Sequence, residues 1–574
     1  MLMNIARGAL LAQQMGVDVT GHNIANVNTP GYTRQEVVLQ SSAETPLTGL
    51  KLGSGVFAQS VIQDFDSFTT ENINQKTSSL SEYQTEKSVL DYVQEYFNEA
   101  TGSGLSQDMG NFWNAWQNLS SNPAGTPERT ALLQAAENMV QDFHGIRNGL
   151  TQTQEQMSTN LNGGVEQINS LDKQIASLNQ QIVQVETNGT KANDLRDQRN
   201  NLVQNLSQLT DITYMEKDNG ALTVMTKSGI SLVDGDSSST LSQQGDKIYW
   251  NNIQNDISSQ LTGGKIGAWL DLRDNILPQY IANLDELAGT ITQQVNDLHY
   301  NGYTLDGQTG KYFFNPVSFT SDLTYGTWTG TSAASVGGAY ASTAPAGTFQ
   351  FTVTSASGTV GADDITLGWT GPGGTSGTVD FAPGYVPGTM VSVSQGLQIS
   401  LGSVASPGTV ANGDTFSVDV APDFTGAAQD IALSSDVENT PENIAASQSS
   451  DSTATGNNQN ALAIQALQDE QLNINKWTYQ NRGGIQSSAN QPGTMDDYYN
   501  ILVGDIGSLD SEAGQNQDLN QTLINQLSDL RDSVSGVSLE EEMINLLKYQ
   551  YGFTAASKLV STADQMLQTL LQIQ

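Results

Sequence analysis

Residues 535–574 read SGVSLEEEMINLLKYQYGFTAASKLVSTADQMLQTLLQIQ. Gly536 interrupts whatever precedes it. Ser538 is a suitable N-cap, and Glu541 stands three residues on, the spacing of a capping box. Glu540, Glu541 and Glu542 place negative charge in the first turn, where the helix dipole favours it. Leu539, Met543, Leu546, Gln550 and Phe553 follow at spacings of 4, 3, 4 and 3. After a slip, Ala556, Val560, Ala563, Leu567 and Leu570 repeat the period. This predicts one amphipathic helix with a coiled-coil seam. At 1.5 Å per residue it would span roughly 50 Å. Such a stripe needs a partner.

The other end of the chain offers one. Ile5, Ala9, Ala12, Gly16 and Val19 are spaced 4, 3, 4 and 3. Their small side chains would let two helices approach closely. The expectation is that this first helix, within residues 1–30, pairs with 536–574. It stops before Asn28-Thr29-Pro30-Gly31. Thr29 precedes Pro and is pushed to an extended conformation. Pro30-Gly31 fits the centre of a type II turn. Tyr32 to Gln40 is β-prone and reads as extended chain.

Between the ends the sequence changes character several times. Residues 1–60 are the terminal helix and extended segment, and helix is expected from about 60. Thr101 to Gly104 reads as a break, and Asn122-Pro123 joins two helices. Ile168, Leu171, Ile175, Leu178, Ile182 and Val185 start a helical hairpin, turned at Asn188-Gly189. This makes 61–210 the first part of a helical bundle. Residues 211–261 alternate with period two between Asp-Gly turns, a small β insertion. Residues 262–301 return to helix, with Pro278 as a kink or restart. Residues 302–430 are rich in Gly, Ser, Thr and Val, and are expected to form an inserted all-β domain. Residues 440–460 read as polar linker. Within 431–535 two more helices lead back to the bundle. The fold class is therefore α+β multidomain: long terminal coiled-coil helices and a bundle, with two β insertions.

Composition excludes several functions. The 574 residues carry 60 acidic and 22 basic side chains, a formal charge of −38. Nucleic acid and anionic membrane both require Lys and Arg, so neither is expected as a partner. There is no cysteine, hence no disulfide or thiol chemistry. No apolar run is long enough for a membrane helix. The N-terminus lacks a cleavable signal pattern, which leaves a cytoplasmic location or export by a route needing none. His22, His144 and His299 are isolated, and no metal, nucleophile or P-loop motif occurs. No catalytic, metal or cofactor residue is assigned. Trp113 and Trp116 read as core rather than a ligand platform.

The residues ANVNTPGYTRQ, 25–35, resemble the N-terminal motif of flagellar rod, hook and hook-associated proteins. Residues 535–573 resemble their C-terminal motif, and the segments around Arg129, Leu133 and Ala136 and at 193–213 resemble the hook-associated branch. This implies a structural subunit, exported without a cleaved signal to the extracellular flagellum and polymerising at the distal hook end. Implied partners are further copies of itself, the hook protein, a second hook-associated protein and an export chaperone on the C-terminal helix. The implied turn motif is Asn28, Thr29, Pro30, Gly31, Tyr32, Thr33, Arg34 and Gln35. The expected assembly seam is Ile5, Ala9, Ala12 and Val19 with Leu539, Met543, Leu546, Phe553, Val560, Leu567 and Leu570. A hook or rod protein is the near alternative. A surface adhesin or carbohydrate-binding protein displayed through the β domain is the distant one.

Overall fold

The computed structural model describes residues 2–572 except 43–44, 48–49, 53–54, 98–103, 188, 252–254, 317–322, 341–346, 372–374, 395–396, 421–423 and 480–485. The sequence-expected break at 101–103, the turn residue Asn188 and the Leu570 side chain fall outside what is described.

Helix α1 (Leu2–Ala25) ends at the Thr29–Tyr32 turn, closed by the Tyr32 N–H on the Thr29 carbonyl. Strand Gln35–Ser41 pairs antiparallel with Val56–Gln63. Residues 61–66 thus complete a hairpin and its exit rather than beginning a helix. α2 (Ser67–Tyr96) starts on the Asp66 side chain, which caps the Thr69 N–H. α3 (Leu105–Ser121) leads through the Asn122-Pro123 turn into α4 (Thr126–Glu186). α4 is 61 residues long, about 90 Å of continuous helix. Its buried line passes from one core to another without interruption, so the bundle and the hairpin of the sequence reading share this helix. α5 (Asn193–Leu209) returns along it.

Six short strands between Ile212 and Trp250 form a four-stranded sheet and a hairpin. With α4, α5 and α6 (Gly264–Asp271) they enclose Leu161, Ile168, Ile175, Val224, Val233 and Ile266. A π-helical turn at Leu272–Ile276 precedes α7 (Leu277–Asn301), with Pro278 in its first turn. The missing N–H of Pro278 falls where none is needed, so the helix restarts instead of breaking.

The β insertion is narrower than the composition shift. Its described strands lie between Leu323 and Val420. A five-stranded antiparallel sheet and a three-stranded one share a core of Phe349, Phe351, Leu367, Ile399 and Val418. Residues flanking the strands belong elsewhere. Phe313 and Phe314 on one side, and Phe424 with α8 (Ala427–Asp430) on the other, are buried in the helical core. The expected linker at 440–460 is also part of that core. Ile444, Ala445 and Ala446 are buried, and the Arg129 guanidinium donates to the carbonyls of Pro123, Pro441 and Ile444. A polar composition concealed three apolar residues and a cation that binds their backbone.

α9 (Gln459–Ala466) is followed by a hairpin, Leu472–Tyr479 with Gln486–Gly493, between the two helices expected within 431–535. α10 (Met495–Ser535) begins with a complete Thr494/Asp497 capping box. It runs along α2, where Lys87 bonds Asp510. α11 (Leu539–Gln572) follows Gly536. Trp113 and Trp116 are buried in the helical core. His144 lies within α4 rather than near a helix end, its Nε2 2.9 Å from the Ile431 carbonyl. His299 is fully buried: its Nδ1 faces the Lys311 carbonyl, its Nε2 accepts from the Ala445 N–H, and burial pushes its pKa down to about 4.

Candidate assembly surface

α1 and α11 pack antiparallel. Asn23 lies against Glu542, Gly16 against the Tyr549 ring and Gln13 against Gly552. A Cβ on Gly16 would stand 2.5 Å from that ring, and one on Gly552 2.5 Å from the Gln13 side chain. Small residues therefore do set the close approach. On α1 the buried line is Ala6, Ala12, Gly16, Thr20 and Asn23, while Ile5, Ala9 and Val19 are half-buried beside it.

The covered line on α11 is Glu542, Leu546, Tyr549, Phe553, Ala556, Val560 and Ala563. It keeps a 4-3 period without a slip. Leu546, Phe553 and Val560 of the expected seam lie on it, with Phe553 still 38% exposed. Leu539, Met543 and Leu567 do not; they are 48%, 59% and 50% exposed. The sequence stripe places Met543 and Gln550 one position past the packed Glu542 and Tyr549. The packed face begins instead on a carboxylate. Outside it, Leu11 and Met15 of α1 and Ile544, Leu547, Tyr551, Leu559 and Met566 of α11 are exposed. The pair carries apolar surface that the described residues do not cover.

The turn motif sits at the foot of the pair. Asn28, Thr29 and Pro30 are exposed. Gly31 has φ +74°, and a Cβ there would fall 2.0 Å from the Asn201 side-chain oxygen on α5. Tyr32 donates to the Asn23 carboxamide oxygen at 2.8 Å, and the Gln35 N–H donates to the same oxygen at 3.0 Å. The Asn23 amide nitrogen in turn donates to the Gln35 carbonyl and to Glu542. Burial, then the charges of Asp194, Asp197 and Glu542, push the Tyr32 pKa up.

Thr33 gives its N–H and hydroxyl to the two Asp197 oxygens at 2.9 and 2.8 Å. Gln63 adds a third bond to Asp197. Burial raises the Asp197 pKa against those bonds. Arg34 binds Asp64 through Nε and a terminal nitrogen, and Glu541 through the other at 3.0 Å. Burial opposes its charge, but the Asp64 bond and the carboxylates around it raise its pKa. Its N–H donates to the Ser535 carbonyl at 2.9 Å. Gln35 donates to Asp194 at 2.8 Å. The sequence reading missed Asn23, Asp64, Asp194, Asp197 and Glu542. Asn23 on a line of small residues, and one glutamate among three, were the available signals.

Among the described residues no group of three or more His, Cys, Asp or Glu is placed to hold a metal ion. None of the described helices is long and apolar enough to cross a membrane.

Comparison with known proteins supplies the family. The model for the flagellar hook-associated protein FlgK helical domain matches residues 90–314. The flagella basal body rod protein model matches 3–33, and the flagellar basal body rod FlgEFG protein C-terminal model matches 531–573. The chain resembles flagellar hook-associated proteins along its whole length. Flagellar hook-associated protein 1 of Salmonella typhimurium is 28% identical over 588 residues, covering 100% of this chain and 99% of that one. The Escherichia coli protein of that name is 26% identical over 593 residues, and the Bacillus subtilis one 24% over 609, covering 99% of this chain and 97% of its own. The solved structure of the flagellar hook junction protein FlgK from Burkholderia pseudomallei shares the fold, with a TM-score of 0.54 at 17% identity over 81% of this chain and all of that one. The two rod-type matches fall on α1 with its turn and on α11, the elements that form the pair.

Proposed function

We propose that this chain is a non-enzymatic structural subunit of the bacterial flagellum, polymerising at the distal end of the hook to join hook and filament. The observation that carries the reading is the terminal helix pair. It packs tightly on one side and leaves Leu11, Met15, Leu547 and Tyr551 uncovered on others. Apolar surface repeated along a helix pair is the usual mark of a subunit contact. Leu539, Met543 and Leu567, exposed in the single chain, are assigned to contacts between copies, and Leu546, Phe553 and Val560 to the pair itself. The partners are further copies, the hook protein, a second hook-associated protein, and an export chaperone on α11 before assembly. The subunit is secreted and works outside the cell, without a cofactor.

Electron microscopy of a deletion strain tests this. Intact hooks without filaments, with filament protein in the medium, are expected. Normal filaments on the hooks of that strain would overturn the reading.

A further inference from the structure

The joint between the terminal pair and the rest of the molecule is polar. Three apolar cores account for the helical body, the small β unit and the β insertion, and none contains a described residue of α1 or α11. α1 packs on both strands of the 35–63 hairpin and on α11. What crosses to the body, among the described residues, is a set of directed bonds, most of them converging on one short segment; Gln63 on Asp197, Asn193 on the Val61 carbonyl and His22 beside Asp194 flank it. Thr33 holds Asp197 of α5 by two bonds, and Gln35 holds Asp194 of the same helix. Arg34 reaches Glu541 of α11, Asp64 at the hairpin exit, and the Ser535 carbonyl at the end of α10. Gly31 seats the segment against Asn201 where no side chain fits.

We infer that residues 31–35 form a latch that fixes the angle between the terminal helix pair and the helical body, and whose release lets the pair move as one arm while both sides stay folded. The physical ground is the difference between the two kinds of contact. An apolar interface resists separation but tolerates sliding. Hydrogen bonds weaken steeply outside a narrow range of distance and angle, so a few of them select one geometry. Each contributes little net stability, because water replaces it when it breaks. The pair's own integrity rests on other contacts: Gly16 on Tyr549, Asn23 on Glu542, and the hairpin on α1. Gly31 and Asp197 take no part in the Gly16–Tyr549 or Asn23–Glu542 contacts, and Asp197 meets the hairpin only at Gln63, the last residue of its second strand. The latch can therefore open without dissolving what it holds. A subunit with such a joint can present its terminal pair at a second angle wherever neighbours favour one.

The chain has no cysteine, so spin labels can be placed at will. In the full-length monomer, Gln167→Cys on α4 and Thr554→Cys on α11, both exposed, report the arm angle. Gln14→Cys with Thr554→Cys reports the pair. Double electron–electron resonance is expected to give narrow distributions for both. Asp197→Ala and Gly31→Ala should broaden or shift the arm distribution and leave the pair distribution narrow. Asp197→Asn, which keeps an acceptor for Thr33, should broaden it less. An arm distribution unchanged in both Asp197→Ala and Gly31→Ala overturns the latch. So does broadening of both distributions, which would make residues 31–35 part of the pair's own support. The measurement is made on monomers and stands apart from the hook-junction reading.

Discussion

The Asn23 carboxamide donates to the Glu542 carboxylate at 3.0 Å, between residues 1% and 3% exposed at opposite ends of the chain. A carboxylate buried in a helix pair needs its acceptors filled. Glu542 lies in the first turn of α11, where the helix dipole favours its charge, and Asn23 supplies a donor. Asn23→Ala leaves that carboxylate buried with its partner gone. The expected cost is about 1–3 kcal/mol to pairing of the termini. Hydrogen exchange across α1 and α11 should accelerate together, with the helical body unaffected. Replacing both residues, Asn23→Leu with Glu542→Leu, should cost less than Asn23→Ala alone, since the buried carboxylate is then gone, while Tyr32 and Gln35 lose their Asn23 bonds in either variant.

The close approach of the pair depends on Gly16. An alanine there must displace the Tyr549 ring, which has no flexible end to yield. Overpacking of this kind costs typically about 1–3 kcal/mol. Gly21 is the internal control, since it is exposed and a Cβ there meets nothing within 4 Å. Gly21→Ala should stabilise α1 by about 0.5–1 kcal/mol through backbone entropy. Protection of α1 amides should fall in Gly16→Ala and rise in Gly21→Ala. Equal behaviour of the two would remove the ring contact as the determinant of spacing.

Asp172 of α4 is fully buried against the small β unit, and neither of its carboxyl oxygens has a hydrogen-bond partner. Burial pushes its pKa up to about 8, from 3.8. The folded state therefore holds a proton that the unfolded chain loses at low pH. Between about pH 4 and pH 8 the folded state binds more protons, so this group's contribution to stability is complete below pH 4 and falls as pH rises. Chemical denaturation followed by Trp269 emission should show declining resistance from pH 5 to pH 8. Asp172→Asn should flatten that decline, and Asp172→Leu should raise resistance most at pH 8.

These residues also mark where the sequence could be read and where it could not. The helices, their terminal placement and both β insertions follow from apolar period and turn chemistry, which are local. α4 was divided in the reading because its stripe serves two cores in succession, and only the packed body shows that one helix spans both. Ile444 to Ala446 were hidden in a polar stretch, since three apolar residues make no period. The 472–493 hairpin lies between the two helices read there, and its second strand, QSSANQPG, has almost no apolar residue to mark it. The packed face of α11 was legible at Leu546, Phe553, Ala556, Val560 and Ala563 but not at its start, because it begins on Glu542 and a carboxylate is not scored as apolar. What makes Glu542 interior is Asn23, 519 positions away.

The uncovered face of α11 separates folding from assembly. Leu547 and Tyr551 are 49% and 75% exposed, one helical turn apart, and lie away from α1. Leu547→Asp or Tyr551→Asp places charge on a surface already in water, so monomer stability should change by about 0.5 kcal/mol or less. In an assembly the same carboxylate would lose its water without a cation to meet it, at a cost repeated in every copy. Soluble, folded monomers that fail to form a junction are expected, with filament protein released into the medium. Val560→Asp is different in kind. Val560 is half-buried on the line facing α1, so that change should loosen the pair within the monomer and accelerate its hydrogen exchange. Ser561→Asp, on an exposed polar position, should do neither. Export and motility assays beside monomer hydrogen exchange distinguish the three. Normal motility with Leu547→Asp and with Tyr551→Asp would mean that this face of α11 meets no neighbour, and the assembly contacts would then have to be sought on Leu11 and Met15.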